Sequence, residues 1–142
     1  MYCKYRWFML IGFFILSVNI FGGEYQIIVN HSRPEQKVTK NMLRNIFLGK
    51  QAKWENGQRI SPAIVNIDEP KKVFIKEILG KTPAAYKNYW NKQLFTGQGV
   101  PPAAFDSDEA LIQYIHDNPG AIGVISGQSV ADDIKVVEIV EK

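Results

Sequence analysis

The chain has 142 residues and a formal net charge of +3. Lys4 and Arg6 precede an uncharged run from Trp7 to Phe21, so the rest of the chain carries 15 basic against 14 acidic residues and is close to neutral. No Lys/Arg cluster recurs on one helical face and no basic residues interleave with aromatic ones, so nucleic acid is not an expected partner.

The first 23 residues have the basic, apolar and small-residue order of a secretory signal, ending at Gly22-Gly23. A helix from Trp7 to Phe21 would rise only about 22 Å, short of a hydrocarbon core of about 30 Å. The expected division is therefore a signal peptide over 1–23 and one exported domain over 24–142, periplasmic or secreted. An uncleaved, tilted anchor in the inner membrane is the alternative, and the only expected membrane attachment. Cys3, the sole cysteine, lies in this leader. The exported part then has no thiol for a disulfide, a metal or a nucleophile, and neither metal nor cofactor is expected. About 120 residues suffice to bury roughly two thirds of the unfolded surface without such a staple.

Glu24 to Asn30, EYQIIVN, reads as a buried strand, followed by the polar loop HSRPEQK. Thr39 is placed to cap a helix whose stripe is Met42, Leu43, Ile46 and Phe47, with Gly49 as its stop. Trp54 and the turn Glu55-Asn56-Gly57-Gln58 follow. Ile46, Phe47 and Trp54 are expected to pack under that turn, with positive φ at Asn56-Gly57. Ile60 to Ile67 is a second strand, and Asp68 is expected to cap a helix starting near Pro70, with Val73, Phe74, Ile78 and Leu79 buried and Gly80 at its end. Thr82-Pro83 opens a third helix with Ala85, Tyr86, Tyr89, Trp90 and Leu94 facing inward, and Phe95 assigned to the same core face. Gly97 to Pro102 reads as a loop. Ser107 caps a helix carrying Leu111, Ile112 and Ile115, which Asn118-Pro119-Gly120 breaks. Ala121 to Ser126 and Ile134 to Val140 are strands joined by a short, helical or irregular, connection. Gly120 and Gly123 are expected where backbone bends or approaches closely. Helices lying between strands argue for an α/β class.

The helix ending IFLGK, the tryptophan five residues past Gly49, the turn ENGQ, the segment YWNKQLFTGQGVPP and the closing NPGAIGVIS stand here in one order. In that combination the chain, from Tyr25 to about Val137, resembles the single-domain relatives of the phosphate-type substrate-binding proteins of ABC transporters. The resemblance implies a single lobe, the second, of a type II periplasmic binding protein-like fold, with a central mixed sheet and flanking helices. It also implies a non-enzymatic, exported domain that binds phosphate or another small anion in transport or uptake.

In that family the second lobe offers an arginine after a strand and a Ser-Gly-Thr turn at a helix start, where N–H groups and the helix dipole hold an oxyanion. Here Asn66 stands near the arginine position, Asp68-Glu69-Pro70 replaces the turn, and Lys71 falls where single-domain relatives often carry arginine. Pro70 removes a donor and the two carboxylates oppose an anion, while Lys71 and Lys72 offset them. Adjacent carboxylates without further ligands make no metal site. The loop after the first strand adds His31, Ser32 and Arg33. Ligands in open α/β sheets lie beyond strand carboxyl ends, so this loop and the helix near Asp68 are expected to share a crevice. The ligand candidates are thus His31, Ser32, Arg33, Asn66, Lys71 and Lys72. Ser32 and His31 lack a strand-turn-helix nucleophile elbow, so no catalytic residue is assigned and no enzyme is expected. The competing function is an interaction module that kept the fold and lost the ligand, docking on a protein or on itself.

Overall fold

Hydrophobic alternation along the strands divides the molecule into two cores. A computed structural model describes residues 25–127 and 134–141. The expected leader and the connection at 128–133 lie outside the described residues. The elements are β1 (Gln26–Asn30), β2 (Lys37–Thr39), α1 (Lys40–Phe47), β3 (Ser61–Val65), α2 (Asp68–Glu77), α3 (Pro83–Phe95), β4 (Ala103–Phe105), α4 (Asp108–Asp117), β5 (Ala121–Ile125) and β6 (Ile134–Val140). They build a mixed six-stranded sheet in the order β2-β6-β1-β5-β3-β4. β1 runs antiparallel to both β5 and β6, whereas β3 is parallel to β5 and β4. The fold is therefore the expected α/β arrangement of a central mixed sheet with flanking helices.

Successive strand side chains point to opposite faces. Ile27, Val29, Ile64, Ile122 and Val124 share one core with residues of α1, α2 and α3, including Phe47, Phe74 and Trp90. Ile28, Ala63, Val65 and Ile125 share the other with Leu111 and Ile115 of α4. Gly123 sits under α4, where a Cβ would come within 2.5 Å of Leu111 Cδ2.

Caps at three helix starts follow from local sequence. Thr39 Oγ1 accepts from the Met42 N–H at 3.0 Å, Thr82 Oγ1 from Ala85 at 3.1 Å and Ser107 Oγ from Ala110 at 3.2 Å. α2 departs from expectation: its N-cap is Ile67, with no side-chain cap, and Asp68 is its first residue. Its buried face uses Phe74, Ile75, Ile78 and Leu79, with Val73 only partly covered. Two three-residue strands were not foreseen. Lys37–Thr39 lay in the expected loop and cap, and Ala103–Phe105 followed the Gly/Pro loop; each is too short for a period and is defined by pairing with β6 or β3. On α3, Tyr86 and Trp90 are buried, but Ala85 is exposed, Leu94 is 51% exposed and Phe95 94% exposed.

The region around Trp54 closes as a hairpin. Lys53 and Arg59 form an antiparallel bridge, the Trp54 N–H donates to the Gln58 carbonyl at 2.8 Å, and the Asn56 side chain accepts from the Gln58 N–H at 3.0 Å. Only Gly57, at φ 84, takes the positive value; Asn56 does not, because its side chain makes an Asx turn from ordinary backbone. Trp54 belongs to the same core as Ile46 and Phe47, and its indole N–H donates to the Gly120 carbonyl at 3.0 Å. Gly120 is required there, since a Cβ would lie 2.1 Å from the Arg59 carbonyl oxygen.

Trp54→Ala is expected to cost about 3–5 kcal/mol, as for other buried aromatic truncations. Trp54→Phe keeps most of the ring but removes one of the two hydrogen bonds to the Gly120 carbonyl, which still accepts from the Ser61 N–H, at about 0.5–1.5 kcal/mol. Urea denaturation of the two variants checks the order, and a loss below about 1 kcal/mol for Trp54→Ala would contradict burial of the ring.

Candidate functional site

The direction of β1 separates the two expected halves of the site. Val29 pairs with Ile122 near the start of β5, and Ser61 at the start of β3 pairs with Ala121. The carboxyl end of β1 therefore lies beside the amino ends of β3 and β5. Asn66 follows the opposite end of β3. The shared crevice expected for His31, Ser32 and Arg33 with Asn66, Lys71 and Lys72 is not formed, because the first strand runs against its neighbours.

At the β1 end, Asn30 is buried and bonds in both directions. Its Nδ2 donates to the carbonyls of Ile115 at 2.8 Å and His116 at 2.9 Å, while its Oδ1 accepts from the Ser32 N–H at 3.0 Å and Ser32 Oγ at 2.7 Å. This ties the loop to the carboxyl end of α4, the negative end of that helix dipole and a poor place for an anion. His31 faces His116, with ring centroids 6.5 Å apart.

Arg33 is only 3% exposed. Its Nε donates to Glu35 Oε2 at 2.9 Å, one terminal nitrogen donates to Glu35 Oε1, and the other donates to Gln58 Oε1 at 2.7 Å. The guanidinium carbon lies 4.2 Å over the Trp54 ring. Lys135 Nζ donates to the Arg33 carbonyl. All three guanidinium nitrogens thus have acceptors, and the residue clamps the loop onto the tryptophan. Partial burial pushes the Glu35 carboxyl up, but hydrogen bonds and the charges of Arg33 and Lys135 outweigh that and hold it below its ordinary value of 4.5.

At the β3 end, Asn66 and the first turn of α2 open onto a cavity of about 750 Å³. Asn66 is tethered by its N–H to the Phe105 carbonyl at 2.6 Å, and its Oδ1 accepts from Lys71 Nζ at 3.0 Å. The N–H groups of Asp68 and Glu69 have no acceptor within the helix, as at any helix start, and Pro70 has no N–H. Lys71, Lys72 and Lys87 line the cavity with Asp68 and Glu69. Tyr86, Trp90 and Leu94 form its apolar side, and Lys87 with Asn91 forms an adjacent row of α3. Burial pushes the Tyr86 phenol up to about 12, so it stays neutral at ordinary pH. A second cavity, about 470 Å³, has Glu77 and Glu138 but no cation among its lining residues.

Among the described residues no group of three or more His, Cys, Asp or Glu is arranged to hold a metal, and no helix is long and apolar enough to cross a membrane.

No family model and no curated protein matches the sequence. Solved structures do match in shape. An ABC-type phosphate transport receptor from Vibrio cholerae superposes with a TM-score of 0.62 at 17% identity, over 82% of this chain and 46% of that one. A protein from Clostridium perfringens, described as a phosphate ABC transporter substrate-binding protein with bound phosphate, gives 0.62 at 18%, over 82% and 44%. PstS from Borrelia burgdorferi gives 0.58 at 14%, over 82% and 47%. The fold is that of one lobe of a type II periplasmic binding protein. The chain spans just under half the length of those proteins.

In this lobe, the residues that line the cavity from α3, Tyr86, Lys87, Trp90, Asn91 and Leu94, were not foreseen as a site. The available signal was two adjacent rows at a spacing of four, one apolar and one polar, on the same helix.

Glu35 gives a test of the loop clamp. Its folded pKa is lowered, so its contribution to stability is full above the unfolded value and lost as pH falls through the folded one. Glu35→Gln should be less stable at neutral pH and should lose that part of the acid dependence. Urea midpoints over a descending pH series report both effects; parallel curves for the two proteins would contradict the pairing.

Proposed function

We propose that this lobe is a non-enzymatic ligand-binding domain of the substrate-binding type that takes a small oxyanion, phosphate among them, weakly at the first turn of α2, in transport or uptake. The observation that carries this reading is the cavity at that turn. It joins Lys71, held 3.0 Å from Asn66, to Lys72 and Lys87 beside open helix N–H groups. Bound phosphate in the Clostridium perfringens relative is consistent with it. Asp68 and Glu69 oppose the anion, so the affinity belongs in the millimolar range, about −4 kcal/mol. His31, Ser32 and Arg33 have no part in this pocket, since they occupy the other end of the sheet. Export follows from the charge pattern of the leader, with cleavage near Gly23 or Glu24.

A second reading is an interaction module without a ligand. It is favoured by Phe95 and Val100, which are 94% and 80% exposed around the end of α3. Such apolar exposure suits docking on a protein or a second copy.

NMR titration with phosphate, sulfate and carboxylates separates the two. Localised shifts over Asn66 to Lys72 at millimolar anion are expected, and none would favour the interaction module. Placing Ser, Gly and Thr at positions 68 to 70 should strengthen binding by adding a donor and removing two charges, and Lys71→Ala should weaken it. Micromolar phosphate binding by the unaltered protein would overturn the proposed role of the carboxylates. For export, mass spectrometry of the periplasmic fraction should find a chain beginning near Gly23 or Glu24; an intact Met1 terminus in the cytoplasm would defeat it.

A further inference from the structure

The row Tyr86, Trp90 and Leu94 begins in the core and ends on the cavity wall. Tyr86 and Trp90 are buried, but Leu94, the next member at the same spacing, is 51% exposed. All three line the cavity, as do Pro101 and Pro102. An apolar stripe that continues past the core leaves the cavity with a wall suited to an apolar group. Lys87 and Asn91 stand in the neighbouring row of the same helix, so the apolar and cationic parts of the lining adjoin.

Volume points the same way. At about 750 Å³ the cavity falls within the roughly 300–1,000 Å³ of sites that enclose drug-sized ligands. A bare tetrahedral oxyanion displaces on the order of two or three waters at about 30 Å³ each, leaving the apolar wall against solvent.

We propose that the ligand is an anion with an apolar body, its charged group toward the Lys71, Lys72 and Lys87 side and its ring or short alkyl part against Leu94 and the prolines. The proposal rests on the anion reading of the α2 turn and specifies the ligand class. A phosphate monoester and a carboxylate joined to a ring share the required chemistry, and the titration distinguishes them.

The test compares inorganic phosphate, phenyl phosphate, benzoate and neutral phenol on the purified protein, followed by NMR at the Trp90 indole and the Leu94 methyl groups. Phenyl phosphate should bind at least tenfold more tightly than phosphate, a difference of about 1.4 kcal/mol. Its shifts should centre on Trp90 and Leu94. Benzoate binding as tightly would place the preference in the ring and charge; weaker benzoate with tight phenyl phosphate would identify the ester, and either supports the class. Leu94→Ser, at a half-exposed position, should bring the phenyl phosphate to phosphate ratio toward one. Equal affinity for phosphate and phenyl phosphate would overturn this inference and leave the oxyanion reading intact. Binding of neither at millimolar concentration would overturn both. Phenol binding as tightly as phenyl phosphate would overturn the requirement for charge, and shifts centred on Tyr25 and Val136 would overturn the location.

Discussion

The carbonyl of Gly120 is the junction on which the rest of the structure depends. It accepts the Trp54 indole N–H at 3.0 Å and the Ser61 N–H at 3.1 Å, joining the hairpin, the start of β3 and the start of β5. Arg33 covers a face of that indole, its guanidinium carbon 4.2 Å from the ring centroid. A side chain at position 120 would strike the Arg59 backbone, so the junction requires glycine. Three separated stretches of sequence, around Arg33, from Trp54 to Ser61 and at Gly120, thereby meet at one junction. The tryptophan after the first helix serves this meeting point.

The same junction explains why Arg33 is poor material for an anion receptor. A buried guanidinium needs its charge and donors satisfied, and Glu35 and Gln58 satisfy them. Drawing it toward a ligand would leave Glu35 without its partner and uncover Trp54. The antiparallel course of β1 adds a geometric bar, because it sends this loop to the carboxyl end of α4, opposite the α2 turn.

At the β3 end the forces are balanced differently. Asp68 and Glu69 favour the start of α2 through its dipole, by about 0.3–1 kcal/mol each, while their charge disfavours an incoming anion. Three lysines and an apolar wall then bear on the choice of ligand. Leu94 is informative because it lines the cavity yet breaks the packing that Tyr86 and Trp90 of its own row obey; failures of local consistency fall preferentially at functional sites. The likeness to solved phosphate-binding proteins supplies the frame, and the cavity supplies the argument about chemistry.

By itself the sequence determined the features that depend on neighbours within a turn or two. Thr39, Thr82 and Ser107 cap their helices because hydroxyl and orphan N–H lie three residues apart. Gly49, Gly57 and Gly80 take positive φ because only glycine does so without a Cβ clash. The strands β1, β3, β5 and β6 were legible from their apolar runs, and the motifs in register indicated the fold. Tertiary structure alone decided the direction of β1, the edge strands β2 and β4, the locking of Arg33 and the exposure of Leu94. Strand direction and edge pairing are set by partners as distant in sequence as Val29 and Ile122, and a three-residue segment carries no period of its own. Arg33 reads as a free cation until Gln58 and Trp54 are brought to it, and Leu94 reads as core because helical spacing records which residues share a face but not where the opposing surface ends.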